Sequence, residues 1–138
     1  MSGGEAGRPT GGSHVHIGEV ASRTGLSHRT IRYYEEMGLL TPSARTEGGF
    51  RLYDEAGIER LLLIKPMKPL GFSVEQMRQL LDALDTLADP ESAGRTAARA
   101  QVDAIHDEAL TRVAELKEAT ARAEAFTERL RRLSPPVA

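Results

Sequence analysis

Residues 91–133 hold one glycine, Gly94, and no proline, and apolar side chains recur through them every three or four positions. The series is Val102, Ile105, Ala109, Val113, Leu116, Ala119, Ala123, Phe126, Leu130 and Leu133; from Leu116 its steps run 3, 4, 3, 4, 3, a heptad seam. Asp89-Pro90 reads as the start signal, an N-cap followed by a proline whose missing N–H is no loss in a first turn. A helix from Pro90 to Leu133 is about 66 Å long at roughly 1.5 Å per residue. Its apolar stripe is too long for the remaining globule to cover. A second copy of the chain is the natural partner, giving a two-stranded coiled coil. Residues 134–138, SPPVA, are expected to end the helix as a short tail with no further domain.

What remains is small. The 138 residues allow one modest domain plus this appendage. Residues 1–13 are rich in glycine and serine and lack large apolar groups, so they read as a disordered tail rather than a secretory signal. The chain divides into that tail, a domain over 14–88, a dimerisation helix over 89–133 and the tail 134–138. The absence of cysteine excludes disulfides, thiolate metal sites and redox-sensing thiols. No apolar run approaches the roughly 20 residues of a membrane span, and the expected location is the cytoplasm. Net charge is −2, with eight Lys/Arg against seven Asp/Glu in residues 14–70 and nine against twelve in 71–138. Affinity for a polyanion must therefore come from where the cations sit, not from their total.

The domain reads as mostly α. A short strand over 14–17 precedes a brief helix, Glu19 to Thr24, with Val20 and Ala21 inward and Gly25 supplying the left-handed exit. Ser27 is a good N-cap for a second helix from about His28 to Met37, stopped at Gly38. Ile31 and Tyr34 share its inner face, and Tyr33 points elsewhere. Glu47-Gly48-Gly49 is a hairpin turn, and Phe50 to Tyr53 alternates as a strand. Phe50 and Leu52 are expected to face the core, Arg51 and Tyr53 the outside, as in a wing. Asp54 caps a third helix with Ile58, Leu61, Leu62 and Ile64, which ends near Lys65 because Pro66 and Pro69 follow. Ser73 and Gln76 form a capping box, with Phe72 and Met77 as its hydrophobic staple. The fourth helix carries Met77, Leu80, Leu81, Leu84 and Leu87 on one stripe.

Two short helices about a turn, followed by a basic wing, are built to grip a DNA duplex. The second helix presents His28, Arg29, Arg32 and Tyr33 at the end that enters a major groove. Arg29 either reads a guanine edge or binds phosphate, and His28 can hydrogen-bond a base. Ser27 and Thr30 place hydroxyls where a helix N-terminus meets phosphate. Arg45, Arg51 and Tyr53 on the wing clasp the backbone, and Lys65 and Lys68 meet phosphate from the proline-rich turn. Beside these stand plainer readings. His106 near Asp103 and Asp107 belongs more naturally to a solvated helix face than to a metal site, and no metal or cofactor is expected. Met67, Phe72 and Met77 are more often packing than a ligand pocket at such spacing. No nucleophile–base constellation or phosphate loop suggests an enzyme.

The runs IGEVASRTGLSHRTIRYYEEMGLL (17–40), GGFRLYDE (48–55) and LGFSVEQM (70–77), followed by the long helix, resemble the MerR family of transcriptional regulators over residues 15–133. The resemblance implies a winged helix-turn-helix domain joined to an antiparallel coiled-coil dimer. It also implies a near-palindromic operator between promoter elements, bent and untwisted so that RNA polymerase reads both. Arg32, Tyr33, Arg51 and Tyr53 are the DNA contacts it points to most directly, and His28 and Arg29, at variable family positions, are assigned to specificity. The chain departs from the pattern at Pro66 and Pro69, where the family's third helix runs on unbroken. It also lacks the cysteines of metal and redox sensors and is expected to have no large ligand domain like that of drug sensors, so the resemblance names no small-molecule effector. An architectural DNA-binding protein that needs no effector, and a coiled-coil protein-interaction module, are the competing readings.

Overall fold

The computed structural model describes residues 14–137; the tail expected over residues 1–13 and the final residue 138 lie outside them. The chain runs β1 (Val15–His16), α1 (Ile17–Thr24), α2 (His28–Glu36), β2 (Ala44–Arg45), β3 (Arg51–Tyr53) and α3 (Glu55–Ile64). A 3-10 turn (Lys65–Met67), α4 (Val74–Ala88) and the 39-residue α5 (Arg95–Leu133) complete it. Among the described residues no helix is long and apolar enough to cross a membrane.

Local chemistry sets most boundaries. Ser27, Asp54 and Ser73 cap α2, α3 and α4, their side chains accepting from the backbone N–H of Thr30, Gly57 and Gln76. Gln76 returns the favour at the Ser73 N–H, 2.9 Å away, which completes the capping box. α1 ends on Gly25 at φ 77°, and the Lys65 ammonium donates to the Thr24 carbonyl just before it at 2.7 Å. A Cβ at Gly25 would stand 2.7 Å from that Nζ and displace the lysine from its carbonyl, while the left-handed φ is what requires glycine. Pro66 ends α3 by tightening it into the 3-10 turn instead of breaking the chain away from the core.

The start of α5 differs from the expectation at Asp89-Pro90. Asp89 instead ends α4, and its carboxylate accepts from the Glu91 N–H at 3.0 Å, capping a turn. The helix begins five residues beyond Pro90, after Gly94 at φ 80°. The same Asp-Pro chemistry serves a turn as well as a helix, and the intervening residues are needed to reverse the chain so that α5 can lie along α4.

The sheet is antiparallel in the order β1-β3-β2, with Val15 opposite Tyr53, Ala44 opposite Leu52 and Arg45 opposite Arg51. Its central strand corrects the expected orientation. Tyr53 is 1% exposed and belongs to the core, whereas Phe50 at the wing turn is 68% exposed. The alternation holds, but the faces are exchanged. A tyrosine is tolerated inside because its hydroxyl donates to Glu35 Oε1 at 2.8 Å. Around it Val20, Ile31, Tyr34, Leu39, Leu40, Ile58, Leu61 and Ile64 form one core with Met67, Phe72, Met77, Leu80 and Leu81 of the following elements.

α5 completes that core only in part. Val102, Ile105 and Ala109 pack half-buried against it, and Ala98 is buried. From Val113 onward Leu116, Phe126, Leu130 and Leu133 are exposed. The exchanged faces of β3 are testable by urea denaturation. Tyr53→Ala is expected to cost about 3–5 kcal/mol, as truncation of a buried aromatic does. Phe50→Ser should stay within about 0.5 kcal/mol of the parent; the opposite ranking would restore the original orientation.

Candidate nucleic-acid interface

α2 buries Ile31 and Tyr34 and thereby turns His28, Arg29, Arg32 and Tyr33 outward. Tyr33 is 45% exposed while Tyr34 beside it is 3% exposed. Among the described residues Arg29, Arg32 and Lys68 make no ion pair. Arg29, Thr30, Tyr33 and Lys68 line one cleft of about 310 Å³ whose floor is Tyr34, Phe72, Val74 and Met77. The 3-10 turn created by the prolines therefore brings Lys68 beside the exposed face of α2. At the head of the helix the Ser27 hydroxyl donates to Thr30 Oγ1 at 3.0 Å, and Ser27 is exposed.

The wing is held from within. Thr46 exchanges backbone bonds with Phe50 and Gly49, and Arg45 Nη1 donates to the Gly49 carbonyl at 3.0 Å. Arg45 thus stiffens the turn and stays exposed. Arg51 Nε donates to Glu35 Oε2 at 2.8 Å, the other oxygen of that carboxylate taking the Tyr53 hydroxyl. Burial first, then the bond to Glu35, pushes the Tyr53 pKa far above the ordinary phenol value, so the hydroxyl remains a donor. Hydrogen bonding to Glu35 likewise raises the pKa of Arg51.

Of the residues singled out in the sequence, Arg29, Thr30, Tyr33 and Lys68 line one cleft, and Ser27, His28 and Arg32 are exposed on α2 and its cap. Arg45 and Arg51 lie on the wing. Two do not present themselves as expected. Tyr53 is buried, and its hydroxyl faces Glu35 rather than solvent. The Lys65 ammonium is bound to the end of α1, where it meets an otherwise orphan carbonyl.

Glu35 and Arg112 matter most among the residues that sequence reasoning missed. Arg112 of α5 donates to the Leu70 carbonyl at 2.7 Å, stacks 4.3 Å from the Phe72 ring centroid and pairs with Glu108. Glu108 in turn accepts from Gln76 at 3.2 Å. The available signal for Glu35 was its place next to buried Tyr34, opposite a strand carrying two donors on one face. For Arg112 it was a cation on the inward stripe of an amphipathic helix.

The family model for "MerR HTH family regulatory protein" matches residues 15–84. The regulator ZntR of Escherichia coli K12 is 40% identical over 101 residues, covering 73% of this chain and 70% of that protein. The nodulation protein NolA of Bradyrhizobium sp. NC92 is 44% identical over 73 residues, 53% of this chain. The chain spans only about 31% of NolA's length. A MerR family regulator of Listeria monocytogenes superposes with a TM-score of 0.67 at 25% identity, covering 84% of this chain and 85% of its own. Matched across its winged helix and along most of the length of ZntR, the chain belongs to the MerR family of helix-turn-helix regulatory proteins.

Proposed function

We propose that the chain is a DNA-binding transcription regulator that sits as a homodimer on a near-palindromic promoter operator and distorts it to control initiation by RNA polymerase. The observation that carries this reading is the exposed, unpaired cationic face of α2 beside a wing tied to the same helix. In it, residues 14–88 grip the duplex and α5 joins two copies. His28 and Arg29 at the N-terminal end of α2 read bases, while Arg32, Tyr33, Lys68 and the hydroxyls of Ser27 and Thr30 position the backbone. Arg45 and Arg51 bring the wing to neighbouring phosphates. Deforming the operator costs on the order of several kcal/mol, supplied by contacts that only bent DNA permits.

The uncovered half of α5 supports the dimer. Leu116, Phe126, Leu130 and Leu133 are each at least half exposed in the single chain. Burying such side chains is worth roughly 1.5–3 kcal/mol each. The antiparallel arrangement is the one the family resemblance supports.

Three outcomes test this reading. Arg29→Ala should lose about 1–3 kcal/mol of discrimination at one operator position, measured by competition with single-base variants; a uniform loss across all sequences would make Arg29 a phosphate contact instead. Lys68→Ala should reduce the slope of log affinity against log salt by about one, while Lys65→Ala should lower stability and leave the slope alone. Leu116→Glu should yield monomers by light scattering with weak half-site binding, and a persistent dimer would refute the seam. Footprinting separates the architectural alternative: one protected palindrome supports a regulator, and spreading coverage supports a coating protein.

A further inference from the structure

We propose that Glu35 is a specificity-determining positioning residue: its carboxylate fixes the wing against α2 and at the same time neutralises Arg51, so that the wing offers the duplex a fixed direction rather than free positive charge. This rests on the DNA-binding reading above.

The geometry is two-sided. Glu35 lies on α2, on the same helix as His28, Arg29 and Arg32. Its side chain is 14% exposed, and each oxygen has its own donor, Arg51 Nε and the Tyr53 hydroxyl, both at 2.8 Å. Those donors are two residues apart on the central strand of the sheet and so share one face. One carboxylate therefore sets both the distance and the angle between the base-reading helix and the wing. A carboxylate this shielded from water is stable only with its lone pairs met, and a charge-assisted bond is the strong way to meet them.

The electrostatic consequence concerns selectivity. Affinity for any duplex grows with the number of phosphates neutralised and takes no account of sequence. Arg51 paired with Glu35 adds almost nothing to that count. Its Nη atoms make no hydrogen bond among the described residues, and its side chain is 38% exposed, so it can still donate to a phosphate that lies in the right place. Glu35 thus suppresses binding wherever helix and wing do not both fit, and leaves binding intact where they do. A purely structural carboxylate would change stability and nothing else.

The test compares the parent with Glu35→Gln, Arg51→Ala and the double variant. Each is titrated against a duplex that the parent selects from a random-sequence pool, and against a shuffled duplex of equal length and composition. For Glu35→Gln the salt slope on the shuffled duplex should steepen by about 0.9, equivalent to roughly a threefold larger loss of affinity between about 50 and 200 mM salt. Its selected-to-shuffled ratio should fall at least threefold. The slope change should vanish when Arg51 is alanine, because it comes from that guanidinium, and the ratio change should shrink to what the Tyr53 hydroxyl alone transmits. Glu35→Asp, which keeps the charge but falls one methylene short of the donors, should lower the ratio at the parent slope, and it carries the test if the glutamine variant fails to fold. A folded Glu35→Gln or Glu35→Asp with the parent's slope and ratio would overturn the proposal, as would an undiminished effect in the Arg51→Ala background. A parent protein that selects no duplex at all would instead bring down the DNA-binding reading beneath it.

Discussion

The wing depends on a carboxylate outside its own sheet. Strands of two or three residues are too short to stand in water without a neighbouring element to pack on. β3 meets that need by pairing on both edges and by turning Tyr53 and Arg51 onto α2, where Glu35 receives both. The burial of Tyr53 supplies apolar area, and the shared carboxylate supplies direction. Helix and wing consequently form one unit, and the placement of every outward side chain on either element is inherited from that join.

The same device recurs at the other joins. Lys65 reaches the end of α1, Arg95 donates to the Leu87 carbonyl near the end of α4 at 2.8 Å, and Arg112 reaches the Leu70 carbonyl. Arg60 bonds the Leu39 carbonyl at 3.3 Å and Asp85 at 2.9 Å, linking α3 to the turn after α2 and to α4. Each places a cation on a carbonyl that a helix end or turn leaves without a partner. The cationic face of a chain of net charge −2 comes instead from cations that no carboxylate pairs among the described residues. Arg29, Arg32 and Lys68 stand out because the cations around them are already committed.

Features governed by residues close in sequence were legible in it. The caps at Ser27, Asp54 and Ser73, the left-handed exit at Gly25 and the division between Tyr33 and Tyr34 all follow from a few neighbouring positions. What sequence could not supply was the partner at long range. Period two shows that Arg51 and Tyr53 share a face but not that Glu35, sixteen and eighteen residues away, awaits them. Nothing local tells Lys65 that the Thr24 carbonyl lies beside it. At Asp89-Pro90 the local signal was real but degenerate, since the same pair starts a turn or a helix. The cationic patch on α2 was legible because it needs no partner within the chain.

The long helix joins these pieces to whatever lies along its free half. Its apolar stripe is continuous, yet Ala98, Ile105 and Ala109 are covered by the chain's own core and Leu116, Phe126 and Leu130 are not. The boundary between the two regimes falls at Arg112, which grips the Leu70 carbonyl and the Phe72 ring while Glu108 holds Gln76 of the α4 capping box. The Arg112 guanidinium sits so near this turn that a Cβ at Gly71 would stand 3.0 Å from Nη1. Gly71 adopts φ +88° there, so the backbone is held in a conformation that other residues rarely enter. Lys68, two residues before Leu70, lines the cleft with Arg29 and Tyr33. The segment from Lys68 to Phe72 is therefore shared between the long helix and the cationic cleft beside α2. A rotation of α5 cannot be absorbed at that point without breaking the Arg112 contacts or moving the turn. Because packed elements shift as units rather than deform smoothly, the second course carries the orientation of α5 to the position of Lys68 beside α2.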